Sequence, residues 1–423
     1  MGIITNLTRM WLTRSVKPFV FTNEYDTQLS YEDCGQLGLY IHIPFCRSLC
    51  SFCPYCKTVY SEELCGRYID ALIKEIHMAQ KAGNGRKTVT SLYFGGGTPA
   101  LAAGRLKEII DVASRYFIIT EGIGVELHPD NVNIPTLQKL KEAGVTKISI
   151  GIQSFQNKHQ AVLGRDAVDG AVLSDMLRAV PFETVSIDLI FALPEQTFED
   201  LKADIDLAFK YGANHVAVYP FVDFTFTPST VRVMPKRKKY ELLNQITNYC
   251  LDQGYIRTSI WTFSSEQNAR YSSMTRDNFL GFGCSATTLL REQFKINTFS
   301  VEEYCRRINQ GQPATSLTLH FSLRQRMVYY LFWTAYSTKV SAADFESFFG
   351  VPLKKMYGLE LFLARRLGFV TQHKSVDSGD IIYKMTLKGA FYYHYYENFY
   401  TLSYIDKMWG IMRKKAFPER IEL

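Results

Sequence analysis

Cys46, Cys50 and Cys53 lie within eight residues, directly after Tyr40-Ile41-His42-Ile43-Pro44-Phe45. Thiols this close are placed to hold a metal ion or a metal cluster. Three ligands rather than four would leave a coordination position open for chemistry. The spacing i, i+4, i+7 also fits one face of a helix. Pro44 before the first cysteine and Pro54 after the third argue against a regular helix. A straight helix would also part the first and third thiols by ~10 Å along its axis, too far for one compact centre. A loop wrapped around the metal is therefore expected. It could carry an iron–sulfur cluster or zinc with Cys56 as fourth ligand. Buried, inert cysteines are the third reading.

Other segments offer chemistry at comparable places. Gly95-Gly96-Gly97-Thr98-Pro99 follows a predicted strand, and glycines there let backbone approach a ligand closely. Glu126 sits in Val125-Glu126-Leu127-His128-Pro129. A carboxylate on a buried strand needs a partner, and a bound cationic or hydroxyl-rich ligand is expected to supply it. Gln153, Arg165 twelve residues on, and Asp188 inside the apolar run Val185–Ile190 complete the set.

The elements that must position these residues are legible in the hydrophobic pattern. Predicted strands cover 39–45, 91–94, 124–128, 147–153, 185–192 and 215–222. Helical patterns cover 64–82, 106–116, 134–143 and 198–211. Repeated strand–helix units imply parallel strands and an α/β fold, either a barrel or a doubly wound sheet. Ligands in such folds bind at the C-terminal ends of the strands, where the residues above fall. The basic run 236–239 opens a helical stretch to about 250 and is expected to be solvated.

After about residue 316 the pattern changes. Helices are expected at 323–335, 342–348 and 353–367, followed by β-rich runs at 368–372 and 380–386 around a turn at 376–379. Three helices and a hairpin suggest a winged-helix-like α+β unit. Without a dense basic recognition helix, it is expected to pack rather than to read DNA. The aromatic run 391–396 is expected to be core. These patterns divide the chain into an extension (1–38), a catalytic core (39–315) and a C-terminal unit (316–423).

The 423 residues are 47% hydrophobic and 21% charged, ordinary for a globular protein. The net charge of +7 reads as modest and spread along the chain. It argues only weakly for nucleic acid and equally for an anionic small substrate. Nine cysteines, four of them within 46–56, suit metal binding in a reducing compartment better than a disulfide framework. No apolar run is long enough for a membrane span. The basic N-terminus lacks a secretory signal's apolar core, so a cytoplasmic protein is expected.

The stretch from Tyr40 to Cys53 resembles the signature of radical S-adenosylmethionine (SAM) enzymes. It is most similar to the branch holding oxygen-independent coproporphyrinogen III oxidase, a related heme chaperone and the class C methyltransferases. Further motifs follow in order to about residue 286, around 60% of the chain. The resemblance implies a partial (β/α)6 barrel with a C-terminal winged-helix-like unit. It implies a 4Fe-4S cluster on Cys46, Cys50 and Cys53, with SAM on the open iron, reduced to release a 5′-deoxyadenosyl radical. Two SAM molecules are implied for this branch. Tyr40, Gly96 and Glu126 match contacts to the first. Phe52, Gly97, Thr98, Gln153, Arg165 and Asp188 match contacts to the second. An electron donor such as flavodoxin or ferredoxin is implied, as is a planar, anionic, porphyrinogen-like substrate.

Two departures bear on the reaction. The oxidase pattern places an extra cysteine two residues after the third ligand, whereas here Cys56 is three residues on. The chaperone pattern has His-Asn-x-x-Tyr-Trp, whereas here Gln267 and Ser272 replace its His and Trp. Gln is a poor heme-iron ligand. The 281–286 turn resembles the family's G-x-G-x-S-A. An oxidase-like activity in tetrapyrrole metabolism is the leading expectation. A methyltransferase of a planar sp2 carbon, or a heme chaperone, is the alternative.

Overall fold

The computed structural model describes residues 3–26, 29–79, 85–229, 231–266 and 277–423. Six strands form its centre: β1 (Leu37–Ile43), β2 (Leu92–Gly96), β3 (Ile123–Leu127), β4 (Lys147–Gln153), β5 (Thr184–Phe191) and β6 (His215–Pro220). They lie side by side in chain order, all parallel. Nearly every residue of β5 is buried, as a strand covered on both faces requires. A seventh strand, β7 (Asn278–Phe282), runs parallel along the other side of β1. Antiparallel strands extend both flanks, ending at Ile256–Ser259 and Arg420–Glu422. Among the described residues the sheet is therefore open, a partial barrel rather than a closed one.

The helix α1 (Ile3–Thr13) precedes the sheet, and α2 (Glu62–Met78) connects β1 to β2. Ala103–Tyr116, Ile134–Glu142 and Phe198–Lys210 are the other predicted helices. The α/β expectation is borne out, with strand ends displaced by two residues at most. The helical pattern to residue 82 ends earlier, at Met78, and residues 80–82 lie outside the described residues.

α2 starts at Ser61, whose side chain accepts from Leu64 N, a regular N-cap. Its Tyr68 and Glu75, two turns apart, face the sheet. The Tyr68 hydroxyl donates to His42 O at 2.7 Å and accepts from Cys284 N at 2.9 Å. Glu75 accepts from Gly283 N, the Tyr304 hydroxyl and the Asn297 amide at 2.6–2.8 Å. Burial raises the Glu75 carboxyl above the usual range. One helix thus ties the turn after β7 to β1.

The segment from 323 to 386 builds a second core from Met327, Tyr330, Phe345, Phe349, Leu353, Tyr357 and Tyr383. Three helices, Leu323–Tyr336, Ala342–Phe349 and Leu353–Arg366, pack on a three-stranded sheet. This is the expected winged-helix-like arrangement. The chain then returns to the main core through Ala390, Tyr404, Met408, Met412 and Ile421. The aromatic run lies in the helix Leu387–Tyr400 and packs protein against protein, with Phe391 4.1 Å from Tyr240 and Tyr393 5.2 Å from Phe332 between ring centroids.

The basic run at 236–239 needs one correction. Lys236, Arg237 and Lys238 are exposed, but Lys239 is buried and donates to Phe221 O at 3.1 Å. Its position on the inner face of the helix Lys236–Asp252 is why, and burial lowers its ammonium to about 8.

Candidate active site

The cysteine loop starts where β1 ends. Phe45–Cys46 forms a short pair with Thr58–Val59, and residues 47–57 contain turns and no helix. Cys46, Cys50 and Cys53 are free and partly exposed. The Lys57 ammonium closes the loop, donating to Cys50 O at 2.6 Å and Cys53 O at 2.9 Å. It also places a positive charge among thiols that must ionise to bind metal. Burial pushes the Cys46 thiol up to about 11, and the Thr98 hydroxyl lies 3.8 Å from that sulfur.

Among the described residues, one set of three His, Cys, Asp or Glu side chains brings its ligand atoms within 4.8 Å of one another: His42, Cys56 and Cys284. The three loop thiols do not form such a set. A single tetrahedral zinc, with bonds of ~2.3 Å, would hold sulfurs ~3.8 Å apart. The loop therefore fits a multinuclear cluster better than one ion. Cys56 is no fourth ligand, because its thiol donates to Phe299 O at 3.2 Å on the other side. A hydrogen bond with Cys284 holds the Cys56 thiol below its usual range. The His42 ring is committed as well. Its Nδ1 is 3.0 Å from the Tyr40 hydroxyl and its Nε2 is 2.9 Å from Cys56 O. The carbonyl can only accept, so Nε2 carries the proton and Nδ1 accepts from Tyr40. This trio is a hydrogen-bonded support under the loop.

The glycine-rich turn fastens to the same backbone. Gly97 N donates to Ile43 O at 2.8 Å, and Thr98 N donates to Phe45 O at 2.7 Å. Gly96 has φ +121° and lies against the His42 ring, where a Cβ would come within 2.6 Å. Only glycine suits both demands.

Glu126 accepts from the Tyr93 hydroxyl at 2.9 Å and from Gly96 N at 3.0 Å. The partner expected from a ligand is thus partly supplied by the protein, because β2 and β3 are neighbours. Burial still raises the Glu126 carboxyl. Asp188, on β5, accepts from Ser149 on β4 at 2.8 Å. Burial, with the charge of Glu126, pushes it up to about 7. Gln153 ends β4 with φ +74°, a strained conformation for a side-chain-bearing residue, of a kind that clusters at working sites. Arg165 donates to Gly151 O at 2.6 Å and lines a cavity of about 210 Å³ with Cys50, His128 and Asp130. Phe52 packs on Leu163, Ile190, Leu193 and Phe221. Tyr40 stacks on Tyr93 at 6.3 Å. The structure thus gathers the predicted residues on the C-terminal side of one sheet.

The raised Asp188 carboxyl makes a pH prediction. The folded state keeps a proton that the unfolded chain releases between about pH 4 and 7. This group therefore costs stability as pH rises through that window. Asp188→Asn is expected to unfold at higher urea than the parent at pH 8, and equally at pH 4. The linkage ceiling is ~4 kcal/mol at ~1.36 kcal/mol per pKa unit. An equal difference at both pH values would refute the linkage.

Several neighbours escaped the sequence reading. Tyr55 and Tyr219 feel the charges of both Glu126 and Asp188. Burial, then those charges among others, raises both phenols. Both side chains stand among dense protein atoms yet keep part of their surface in solvent, 54% and 41% exposed. Tyr219 stands on β6, where the strand-end rule could have found it. Arg413 donates to Pro54 O and, at 2.9 Å, to Tyr55 O. Trp409 lies 6.1 Å from the Tyr55 ring. No local signal points from residue 413 to residue 55. The Gln267–Ser272 segment lies outside the described residues.

Residues 40–208 match the family model described as "Radical SAM superfamily". The chain is similar to the heme chaperone HemW of Bacillus subtilis, 29% identical over 286 residues, 63% of this chain and 74% of that protein. It is similar to an oxygen-independent coproporphyrinogen III oxidase of Pseudomonas aeruginosa, 24% identical over 327 residues, 69% of this chain and 70% of that protein. The solved coproporphyrinogen III oxidase HemN of Escherichia coli superposes with TM-score 0.70 at 21% identity, covering 87% of this chain and 90% of that one. That last likeness is one of fold.

Proposed function

The chain carries a domain of the radical SAM superfamily, and on that premise we propose that it is a cluster- and SAM-dependent oxidoreductase of tetrapyrrole metabolism, similar in reaction to oxygen-independent coproporphyrinogen III oxidase. The observation that carries the reading is the convergence of the cysteine loop, the Gly95–Thr98 turn and the half-buried carboxylates Glu126 and Asp188. Cys46, Cys50 and Cys53 would hold the cluster. When bound, cluster and SAM supply one-electron cleavage of a sulfonium bond and so a hydrogen-abstracting radical.

The chain's own residues do the positioning. Lys57 offsets the charge of the thiolates, and the Thr98 hydroxyl reaches Cys46. Tyr40, Gly96 and Glu126 would receive one SAM molecule. Phe52, Gly97, Thr98, Gln153, Arg165 and Asp188 would receive a second. A carboxyl near 7 at Asp188 can accept from a ligand hydroxyl or hold a proton. The partly exposed rings of Tyr55 and Tyr219, close to both carboxylates, suit a flat substrate. Flavodoxin or ferredoxin is the proposed electron donor.

The similarity to HemW supports a second reading, heme binding without turnover, against which Gln267 and Ser272 weigh. One experiment separates the readings. The chain is loaded with iron and sulfide, then incubated anaerobically with SAM, a reductant and a coproporphyrinogen. 5′-Deoxyadenosine with decarboxylated porphyrinogen is the expected result. S-adenosylhomocysteine beside 5′-deoxyadenosine would point to a methyltransferase. Stoichiometric heme capture without SAM cleavage would replace the proposal by the chaperone reading.

A further inference from the structure

α1 is built inside out. Its faces repeat every four residues. Thr5, Arg9 and Thr13 are buried, whereas Ile3, Leu7 and Trp11 are 78%, 59% and 50% exposed. Burying the polar stripe and exposing the apolar one is the reverse of a globular helix. The Arg9 guanidinium must be satisfied by carbonyls of the following turn, at Ser15, Val16 and Lys17. The arrangement makes sense only if the outer stripe has another environment.

A second stripe lies beside it. The helix Leu353–Arg366 and the residue after it expose Leu359, Phe362, Leu363 and Leu367, spaced as one helical face. The two helices are joined at Arg14, which pairs with Glu360 at 2.5 Å and lies over the Trp11 ring at 4.5 Å. Trp11, at the end of the first stripe, is thus tied through Arg14 to the helix that carries the second, and exposed apolar side chains gathered in this way exceed scattered surface residues.

The charge around them is positive. Lys17, Lys354, Lys355, Arg365, Arg366 and Lys388 are exposed, and Lys388 reaches Leu367 O at 2.8 Å. The +7 charge is not spread along the chain as first read. Residues 323–423 hold fifteen Lys and Arg against nine Asp and Glu, and residues 1–24 hold three against one. The intervening 25–322 hold 30 against 31. The whole excess thus sits in the two segments that carry the stripes.

We propose that α1 and the helix Leu353–Arg366 form an interfacial patch that seats the protein on an anionic lipid bilayer. The apolar side chains enter the headgroup boundary, and the surrounding Lys and Arg meet lipid phosphates. An interfacial helix has this make-up: an apolar stripe of Leu, Ile, Phe and Trp, with basic residues beside it. Protein partners are less suited, because protein interfaces are depleted in lysine, and lysines surround this patch. No helix among the described residues is long and apolar enough to cross a membrane, so the contact is peripheral.

The test uses the full chain and sedimentation with phosphatidylglycerol or phosphatidylcholine vesicles. Binding to phosphatidylglycerol is expected to exceed that to phosphatidylcholine by ~10-fold or more, since each basic residue near an anionic surface adds ~1 kcal/mol. Leu7→Glu combined with Phe362→Glu, both at exposed positions, should lower it at least ~10-fold and leave the unfolding midpoint unchanged. Absence of binding, or equal binding by the double variant, would overturn the proposal. So would a dimer of the parent chain that the double variant dissociates, because the patch would then belong to a second copy. The measurement needs neither cluster nor substrate, so it stands apart from the proposed reaction.

Discussion

Cys53→Ala, loaded with iron and sulfide, is expected to lack the broad iron–sulfur absorbance near ~400 nm that the parent chain shows. Its far-ultraviolet circular dichroism should be unchanged. The Cys53 thiol is partly exposed in a turn, and the loop is held by other groups, chiefly Lys57 and Arg413. Removing one sulfur therefore costs a ligand and little packing. No neighbour can replace it. Cys56 is engaged with Cys284 and with Phe299 O on the far side of the loop. The paired control is Cys56→Ala, which should keep the absorbance. A full cluster in Cys53→Ala, or none in Cys56→Ala, would overturn the ligand assignment.

Gly97→Ala should be nearly as damaging by another route. A Cβ at 97 would stand 2.6 Å from Phe45 O, 2.8 Å from Phe45 N and 2.8 Å from Pro44 C. All three are backbone atoms immediately before Cys46, so no side chain can swing aside. Relief requires parting β2 from the cysteine loop and breaking the bonds from Gly97 N to Ile43 O and from Thr98 N to Phe45 O. Overpacking of this kind typically costs ~1–3 kcal/mol, and the rigid backbone neighbours here place it at the upper end. The expected outcome is a lower urea midpoint together with weaker cluster retention. A midpoint equal to that of the parent chain would show that the contact is softer than it looks.

The sequence carried the barrel well, for a specific reason. β1 to β6 are apolar runs, each separated from the next by a helical pattern, and parallel order then leaves little choice. The strand-end rule placed Glu126, Gln153 and Asp188 on one side before any coordinates. It could not supply their partners. Tyr93 reaches Glu126 only because β2 lies beside β3, and Ser149 reaches Asp188 only because β4 lies beside β5. The sheet edges were illegible. Val20–Thr22 and Arg420–Glu422 are three-residue strands that pair with each other, too short to show a period and separated by most of the chain. Charge was misread for a different reason. A total of +7 says nothing of where the charges lie until they are counted segment by segment.

Arg413 reaches back to Pro54 and Tyr55, and Trp409 covers the Tyr55 ring. This has a consequence in time. During synthesis the three thiols leave the ribosome some 360 residues before Arg413 does. A growing chain presents its cysteines on a loop that still lacks this support. The loop gains that contact only once residue 413 has emerged.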